Sequence, residues 1–337
     1  MKHRLGMLAF ASSIALASAA RAADKTPIRF VLDWAFEAPQ AIWAVDAESG
    51  CFGQSSLEVK MDRGFGSGDT ISKVASGAYD IGVADFMSLV SYNASHPDSK
   101  LIATLVISER APTSVVTLKK NGISKPQDLV GKRIADAQGE ASRVLFPAFA
   151  KANGIDPNSV TWVSVAPNLR QPILLKGEAD AAAGHLFTIT VGLRALGMKT
   201  EDIFVMPYAE WGLPTFGNSI IVKPEWAAGH PDAMRAFVKC AIAAAKQTIA
   251  NPTGAIAALK KYNPLIDEKL ELDALDFSNN KAVLTEDVKK NGISSFSPER
   301  LDQLLIKLSD ALAIAKPAGN EVWSSAYLPP REGLRIQ

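Results

Sequence analysis

Apolar residues arrive along this chain in short bursts, separated by longer stretches in which they recur at helical spacing. The first burst, IRFVLDW (Ile28–Trp34), is rich in β-branched and apolar residues and reads as a buried parallel strand. In PQAIWAVDAESGCF, Ala41, Ile42 and Val45 recur at helical spacing and Gly50 stands where a helix stops. LEVKM (Leu57–Met61) is the next strand, GFGSGDTISKVASG a glycine-rich loop opening a helix, and YDIGVAD a third strand. Strand, helix, strand, helix, strand is the grammar of a doubly wound α/β unit.

The grammar restarts after Lys120. GKRIADAQ reads as strand and loop, EASRVLFPAFAKANGI as a helix stopped by Gly154, VTWVSVAP as a strand, and NLRQPILLKG as a helix leading into the strand ADAAAGH. GLRALG and DIFVMPY close the second unit, FGNSIIVKPEW returns as a strand, and from His230 the pattern is mostly helical. The two units are expected to be tied near Ser114–Lys119 and again near Asn218–Val222. An internal echo supports two related units. KVASGAYDIGVAD and LLKGEADAAAGH place Gly77, Asp80 and Asp85 one hundred residues before Gly177, Asp180 and His185. The echo predicts that Asp85 and His185 face each other across a shared cleft.

Ligands of open parallel sheets sit outside the carboxyl ends of the strands. That rule selects Asp33 and Trp34, Gly64 to Thr70, Asp85 and Phe86, Gln138 to Arg143, Val165 to Arg170, and His185 to Thr188. GFGSGD lacks the Lys-Ser/Thr end of a P-loop and the G-x-G-x-x-G spacing, so it does not read as a nucleotide site. Its open readings are a polar clamp made of backbone N–H groups and a tight turn capped by Ser67 or Asp69. Asp33-Trp34 offers an acceptor beside a flat ring, or a capping Asp beside a core Trp. Glu140, Ser142 and Arg143 open a helix, as caps or as ligand groups, and His185 is a ligand group or a satisfied core histidine.

Composition narrows the chemistry. With 47% hydrophobic and 21% charged residues the chain can bury a core, and its length suits about two domains. A formal net charge of +1 with no internal basic run argues against a nucleic-acid partner. Residues 1–22 combine Lys2, His3 and Arg4 with an apolar run and Ala20-Arg21-Ala22, which reads as an export signal cleaved before Ala23 and leads to the expectation of a mature protein outside the cytoplasm. Cys51 and Cys240 then have an oxidising compartment, and either a bridge or two buried single thiols suits them. His96, His185 and His230 are scattered without ligand spacing, so no metal or other cofactor is expected. There is no G-x-S-x-G elbow and no cysteine beside a histidine, so the chain does not read as an enzyme.

RFVLDWAFEAPQAIWAVDAESGCF, GSGDTISKVASGAYDIGVAD, YAEWGLPTFGNSIIV, SSFSPERLDQLLIKL and EVWSSAYLP together resemble the thiamine-pyrimidine-precursor (NMT1/ThiY-like) branch of periplasmic substrate-binding proteins, near the taurine, nitrate and sulfonate binders. The resemblance implies an α/β, two-lobed type II binding-protein fold, each lobe a mostly parallel sheet flanked by helices. Residues 23–113 and 218–337 would form lobe 1 and residues 114–217 lobe 2. It implies a monomer that delivers a small molecule to an ABC permease, with Asp33 and Trp34 contacting a pyrimidine. Two departures stand out: Ala35-Phe36-Glu37 and Pro39-Gln40 replace the family's Pro-Asn and Asn-His pairs, and GEASR replaces the cysteine-rich motif of the related pyrimidine synthase.

The candidate rim sets Asp33, Glu37, Asp69, Asp85, Glu140 and Glu210 against Arg143, Arg170 and His185, with Trp34, Phe65 and Trp211 among its aromatics. Carboxylates and rings suit an amino-substituted nitrogen heterocycle. Trp34 is expected to stack, Asp33 and Glu37 to accept N–H groups, and Phe65, Gly66, Ser67, Asp69, Glu140, Ser142 and Arg143 to clamp the periphery. The alternative is an organic anion such as a sulfonate, taurine or an aromatic carboxylate, held by Arg143 and Arg170.

Overall fold

A computed structural model describes residues 25–336, and the export signal read in residues 1–22 lies outside them. Ten strands form two sheets of five: β1 Thr26–Val31, β2 Leu57–Asp62, β3 Ile81–Asp85, β4 Ile102–Val106, β5 Thr113–Leu118, β6 Arg133–Asp136, β7 Thr161–Ser164, β8 Ala181–His185, β9 Ile203–Pro207 and β10 Asn218–Val222. The first sheet runs β2-β1-β3-β10-β4 and the second β7-β6-β8-β5-β9. In each, three strands pair in parallel and one antiparallel strand separates them from the last. Four strands of each sheet thus point the same way, as the strand-helix grammar requires. The antiparallel member comes from beyond the local unit, because β10 follows the second unit and β5 precedes it.

Ser114 and Asn218, expected as ties, lie inside these antiparallel strands. The crossings between sheets run a few residues earlier, at 107–112 and 208–217. They lie side by side: Ile107 N donates to the Asn218 carbonyl at 2.8 Å, Gly217 N to Ser108 at 2.8 Å and Ala111 N to Thr215 at 2.9 Å. Each crossing satisfies backbone groups of the other, so neither needs a sheet of its own.

The echo is a repeated joint. Gly77 and Gly177 both take left-handed φ, 78° and 73°, which ends each helix where a β-carbon would strain the turn. Asp80 then takes Arg29 N at 2.8 Å and both ends of the Arg29 guanidinium, at 3.1 and 2.6 Å. Asp180 takes Arg133 N at 2.8 Å and its guanidinium at 3.2 and 2.9 Å. In both lobes a carboxylate therefore pins the third strand to the first.

Under the first sheet, Phe30, Trp43, Phe52 and Phe237 pack edge-on or stacked, with Phe30–Trp43 ring centroids 4.9 Å apart. Each such ring contributes roughly 1.5–3 kcal/mol by burial. Helix Pro231–Ala250 supplies Phe237 and also Cys240, which is bonded to Cys51 with Cα atoms 5.8 Å apart. A second core is continuous between the lobes, joining Val31, Phe86 and Phe216 to Leu145, Phe146 and Phe149. Among the described residues no helix is long and apolar enough to cross a membrane.

Candidate functional site

The carboxyl ends of β1, β3, β6 and β8 converge where the lobes meet. Asp33, two residues beyond β1, is buried. Its two oxygens accept from Gln40 Nε2 at 2.7 Å and Asn218 Nδ2 at 2.8 Å. Burial pushes its carboxyl up, while the nearby His185 and the two amides pull it back down. Beside it, Trp34 donates Nε1 to Glu37 at 3.2 Å and carries the Arg170 guanidinium 4.8 Å above its ring. That cation–π contact crosses from lobe to lobe.

Arg170 is wholly buried and held three ways. It pairs with Glu140, donates to the Ala183 carbonyl at 2.9 Å and donates to Pro167 at 3.3 Å. Its remaining Nη2 has no partner. Glu140 in turn lies beside Asp136, whose carboxyl is pushed well up by burial and by the Glu140 charge. Asp136 also accepts from Ala137 N at 2.7 Å and from the Ser142 hydroxyl at 3.1 Å.

Three spaces open here, one of them a narrow, mostly apolar slot of about 40 Å³ beside His185, Phe187 and Asn218. A niche of about 10 Å³, bounded by Asp33, Trp34, Gln40, Ser67, Glu140 and His185, has room for roughly one water. Outside Trp34 a crevice of about 660 Å³ runs between the lobes, lined by Trp34, Glu37, Arg63, Phe65, Gln171 and Glu271 among others. Only the crevice reaches the few hundred Å³ that small-molecule sites occupy. Burial pushes Glu37 up against the pull of Arg170, and burial with the Glu37 charge pushes Glu271 up to about 7.

Asp33, Trp34, Glu37, Phe65, Gly66, Ser67, Glu140 and His185 thus gather around these spaces. The other expected site residues do not. Asp69 bonds Lys73 on its own helix at 2.6 Å. Ser142 points into its lobe toward Asp136. Arg143 bonds the Ser164 hydroxyl at 2.8 Å and lies over Trp162. Glu210 is exposed, and the Trp211 carbonyl accepts from Asn153 at the far end of helix Ala141–Ala152.

Asp85 lines none of these spaces, so it does not face a ligand as the echo suggested, although burial pushes its carboxyl up and His185 lies near enough for its charge to pull it back down. Its Oδ1 caps helix Phe86–Ser95, accepting from Ser88 N at 2.8 Å and the Ser88 hydroxyl at 3.1 Å. His185 holds the same place in its lobe but makes no cap bond, which leaves the imidazole facing the niche.

The Gly64–Asp69 loop is not a set of free donors either. Gly64 N serves the Trp34 carbonyl, Gly66 N serves Asp33, and Gly68 N crosses to the Gly139 carbonyl at 2.9 Å. Sequence reasoning gave no role to Gln40, Asn218 or Glu271. Gln40 stands in one of the noted departures, whereas Glu271 comes from helix Glu268–Ser278, outside every strand-helix unit.

A family model described as NMT1/THI5 like matches residues 40–255. The chain is 24% identical over 240 residues to a 4-amino-5-hydroxymethyl-2-methylpyrimidine phosphate synthase of Legionella pneumophila, covering 71% of this chain and 75% of that one. It is 31% identical over 195 residues to the taurine-binding periplasmic protein of Escherichia coli, covering 56% of this chain and 58% of that one. In fold it is similar to the alkanesulfonate-binding protein of Xanthomonas axonopodis pv. citri, with a TM-score of 0.67 at 16% identity over 90% of this chain and 99% of that one.

Proposed function

The chain belongs to the NMT1/THI5-like family, and from that premise we propose that it is the periplasmic solute-binding component of an ABC importer, capturing a small amino-bearing nitrogen heterocycle, such as a thiamine pyrimidine precursor, between its lobes. Its fold is that of the periplasmic binding proteins of ABC import systems. The observation that carries the ligand class is the charge balance around Trp34. In the crevice Glu37, Asp267 and Glu271 set three carboxyl groups against the one guanidinium of Arg63, with Asp33 and Glu140 behind them at the niche and the buried guanidinium of Arg170 already met by Glu140. Ring and exocyclic N–H groups satisfy such acceptors, and a neutral or cationic ring adds no further negative charge to desolvate.

Capture then works by closure. A ligand touching Trp34 and Glu37 on one lobe and Gln171 and Thr188 on the other binds the closed arrangement better than the open one, and so shifts the population toward it. The permease would recognise that closed form. Binding without turnover is supported by GEASR, which carries no cysteine where the related synthase has its cysteine-rich motif.

One feature favours a second reading, an organic anion: Arg170 Nη2 is buried without a partner and could serve a sulfonate or carboxylate oxygen. Calorimetry of the mature chain against aminopyrimidines, taurine and alkyl sulfonates separates the two. Heat of binding and a raised Tm with aminopyrimidines alone are expected, and a response confined to the anions overturns the heterocycle. Mass spectrometry of the recovered ligand should return it unchanged.

A further inference from the structure

On the far side of the first lobe, helix Ala41–Ser49 buries one acidic residue, Asp46, at 1% exposure. Neither of its oxygens has a hydrogen-bond partner. Its environment is the apolar core shared with Trp43, Val45 and Phe237. The charged groups on the elements packed around it are engaged elsewhere or in water. Glu48 pairs with Lys261, Lys260 with Glu268, Lys246 donates to the Gly333 carbonyl, and Lys239 is exposed. Burial alone therefore acts on Asp46 and pushes it up to about 8, so it is a neutral acid at pH 7.

What Asp46 does have beside it is sulfur. One of its oxygens and the Sγ atoms of Cys51 and Cys240 all lie within 4.8 Å of one another. The two sulfurs are unequal: Cys240 is sealed in the core, while Cys51 is half-buried at its edge. The Ser55 hydroxyl stands 3.6 Å from Cys240 Sγ. Buried polar atoms without partners are rare, and a neutral acid set against a disulfide is an arrangement that chemistry can use.

We propose that Cys51–Cys240 is a thiol–disulfide exchange site, and that Asp46 is its built-in proton donor. The substrate class is a dithiol reductant. Its thiolate attacks Cys51 Sγ, on the less buried of the two residues; the S–S bond breaks and Cys240 leaves. A thiolate in that core is a stronger base than the Asp46 carboxylate, so Cys240 takes the Asp46 proton and becomes a thiol. Asp46 then regains a proton from water. The second thiolate of the reductant attacks its own sulfur in the mixed disulfide and releases Cys51, which is protonated by solvent. Two electrons have passed from the dithiol, now a disulfide, to the pair. The link between Cys51 and helix Pro231–Ala250 is thereby opened without unfolding the chain.

The test is reduction of the folded, full mature chain by dithiothreitol, with thiols counted by alkylation and mass spectrometry and rates normalised to thiolate concentration between pH 6 and 9. The parent is expected to be reduced faster than it unfolds, with a normalised rate that falls at least tenfold as the pH climbs past about 8. Asp46→Asn is expected to be at least tenfold slower at pH 6.5 and to lack that fall. Equal rates in parent and variant, or reduction of the parent only at its unfolding rate, overturn the proposal. If Asp46→Asn does not fold, the parent's pH profile decides alone: a flat profile overturns the proton donor.

Discussion

The two lobes are built on one plan and differ in how they use it. Each joins its third strand to the helix that follows it through residue 85 or 185, yet Asp85 caps that helix through Oδ1 while His185 makes no cap bond and is left for the cleft. The same division recurs at the helix that follows the second strand. Ser67, at the start of helix Ser67–Ala75, accepts from Asp85 N at 3.0 Å, and Arg170, at the start of helix Arg170–Lys176, donates to the Ala183 carbonyl. One lobe makes this joint with a neutral hydroxyl and the other with a charge that also reaches Glu140 and Trp34. The difference teaches that the first lobe's frame and its site surface share Ser67, which also borders the niche, whereas the second lobe's joint is a sealed cation that reaches the site only through Glu140 and Trp34.

The sharpest way to break that comparison is to remove the two joints. Arg170→Met should leave Glu140 buried and unpaired beside Asp136 and cost about 3–5 kcal/mol in urea unfolding. Ser67→Ala loses one neutral hydrogen bond and should cost only about 1 kcal/mol. Similar costs for both would show that the guanidinium is as replaceable as the hydroxyl.

The paired positions 85 and 185 should separate stability from binding. Asp85 has its carboxyl pushed up to about 6, first by burial, against the cap bonds from Ser88. Unfolded it ionises near pH 4, so the unfolded chain gives up its proton first, and this one group should cost the parent at most about 3 kcal/mol as the pH climbs from about 4 to about 6. Asp85→Asn keeps an acceptor for Ser88 and should remove Asp85's share of the slope in pH-resolved thermal melts, leaving the share of the other buried carboxyls Asp33, Glu37 and Asp136, with ligand affinity unchanged. His185→Ala should do the reverse, lowering affinity about tenfold, or about 1.4 kcal/mol, in calorimetry while the slope persists.

The smallest effect sharpens the repeat itself. Asp80 is held low by Arg29 against its own partial burial, and Asp180 is held low chiefly by the Arg133 side chain. Both contribute stability above their unfolded values near pH 4, and that contribution is lost as the pH falls below them. With half-exposed guanidinium partners, Asp80→Ala and Asp180→Ala should each cost under about 1 kcal/mol, and by matching amounts. Unequal losses in denaturant melts would mean that the two clamps are alike in shape only.

Much of this plan could be read along the chain because each strand-helix unit is local. The burst at Ile28, the stop at Gly50 and the glycine-aspartate echo all became elements where the pattern put them. Strands β5 and β10 are less legible as sheet members, since each is inserted by a segment on the far side of a crossing. At the site, Trp34 and Glu37 declare themselves by chemistry. What fails is orientation: Ser142 and Arg143 are adjacent to Glu140 yet turn toward Asp136 and Ser164, because helical rotation sends neighbours in different directions. The partners of Asp33 show the other limit, since Asn218 is 185 positions away and no local pattern announces the contact.

The backbone bond from Gly68 to Gly139 has a consequence for selectivity. Lobe meets lobe there through main-chain atoms, and a β-carbon at Gly68 would sit 2.8 Å from the Gly139 oxygen, inside any normal contact. The latch is therefore blind to cargo: it grips with the same strength whatever has been enclosed. Discrimination falls to Trp34, Glu37 and their neighbours, while this one bond across the lobes has no side chain in it, so it can be altered separately from them.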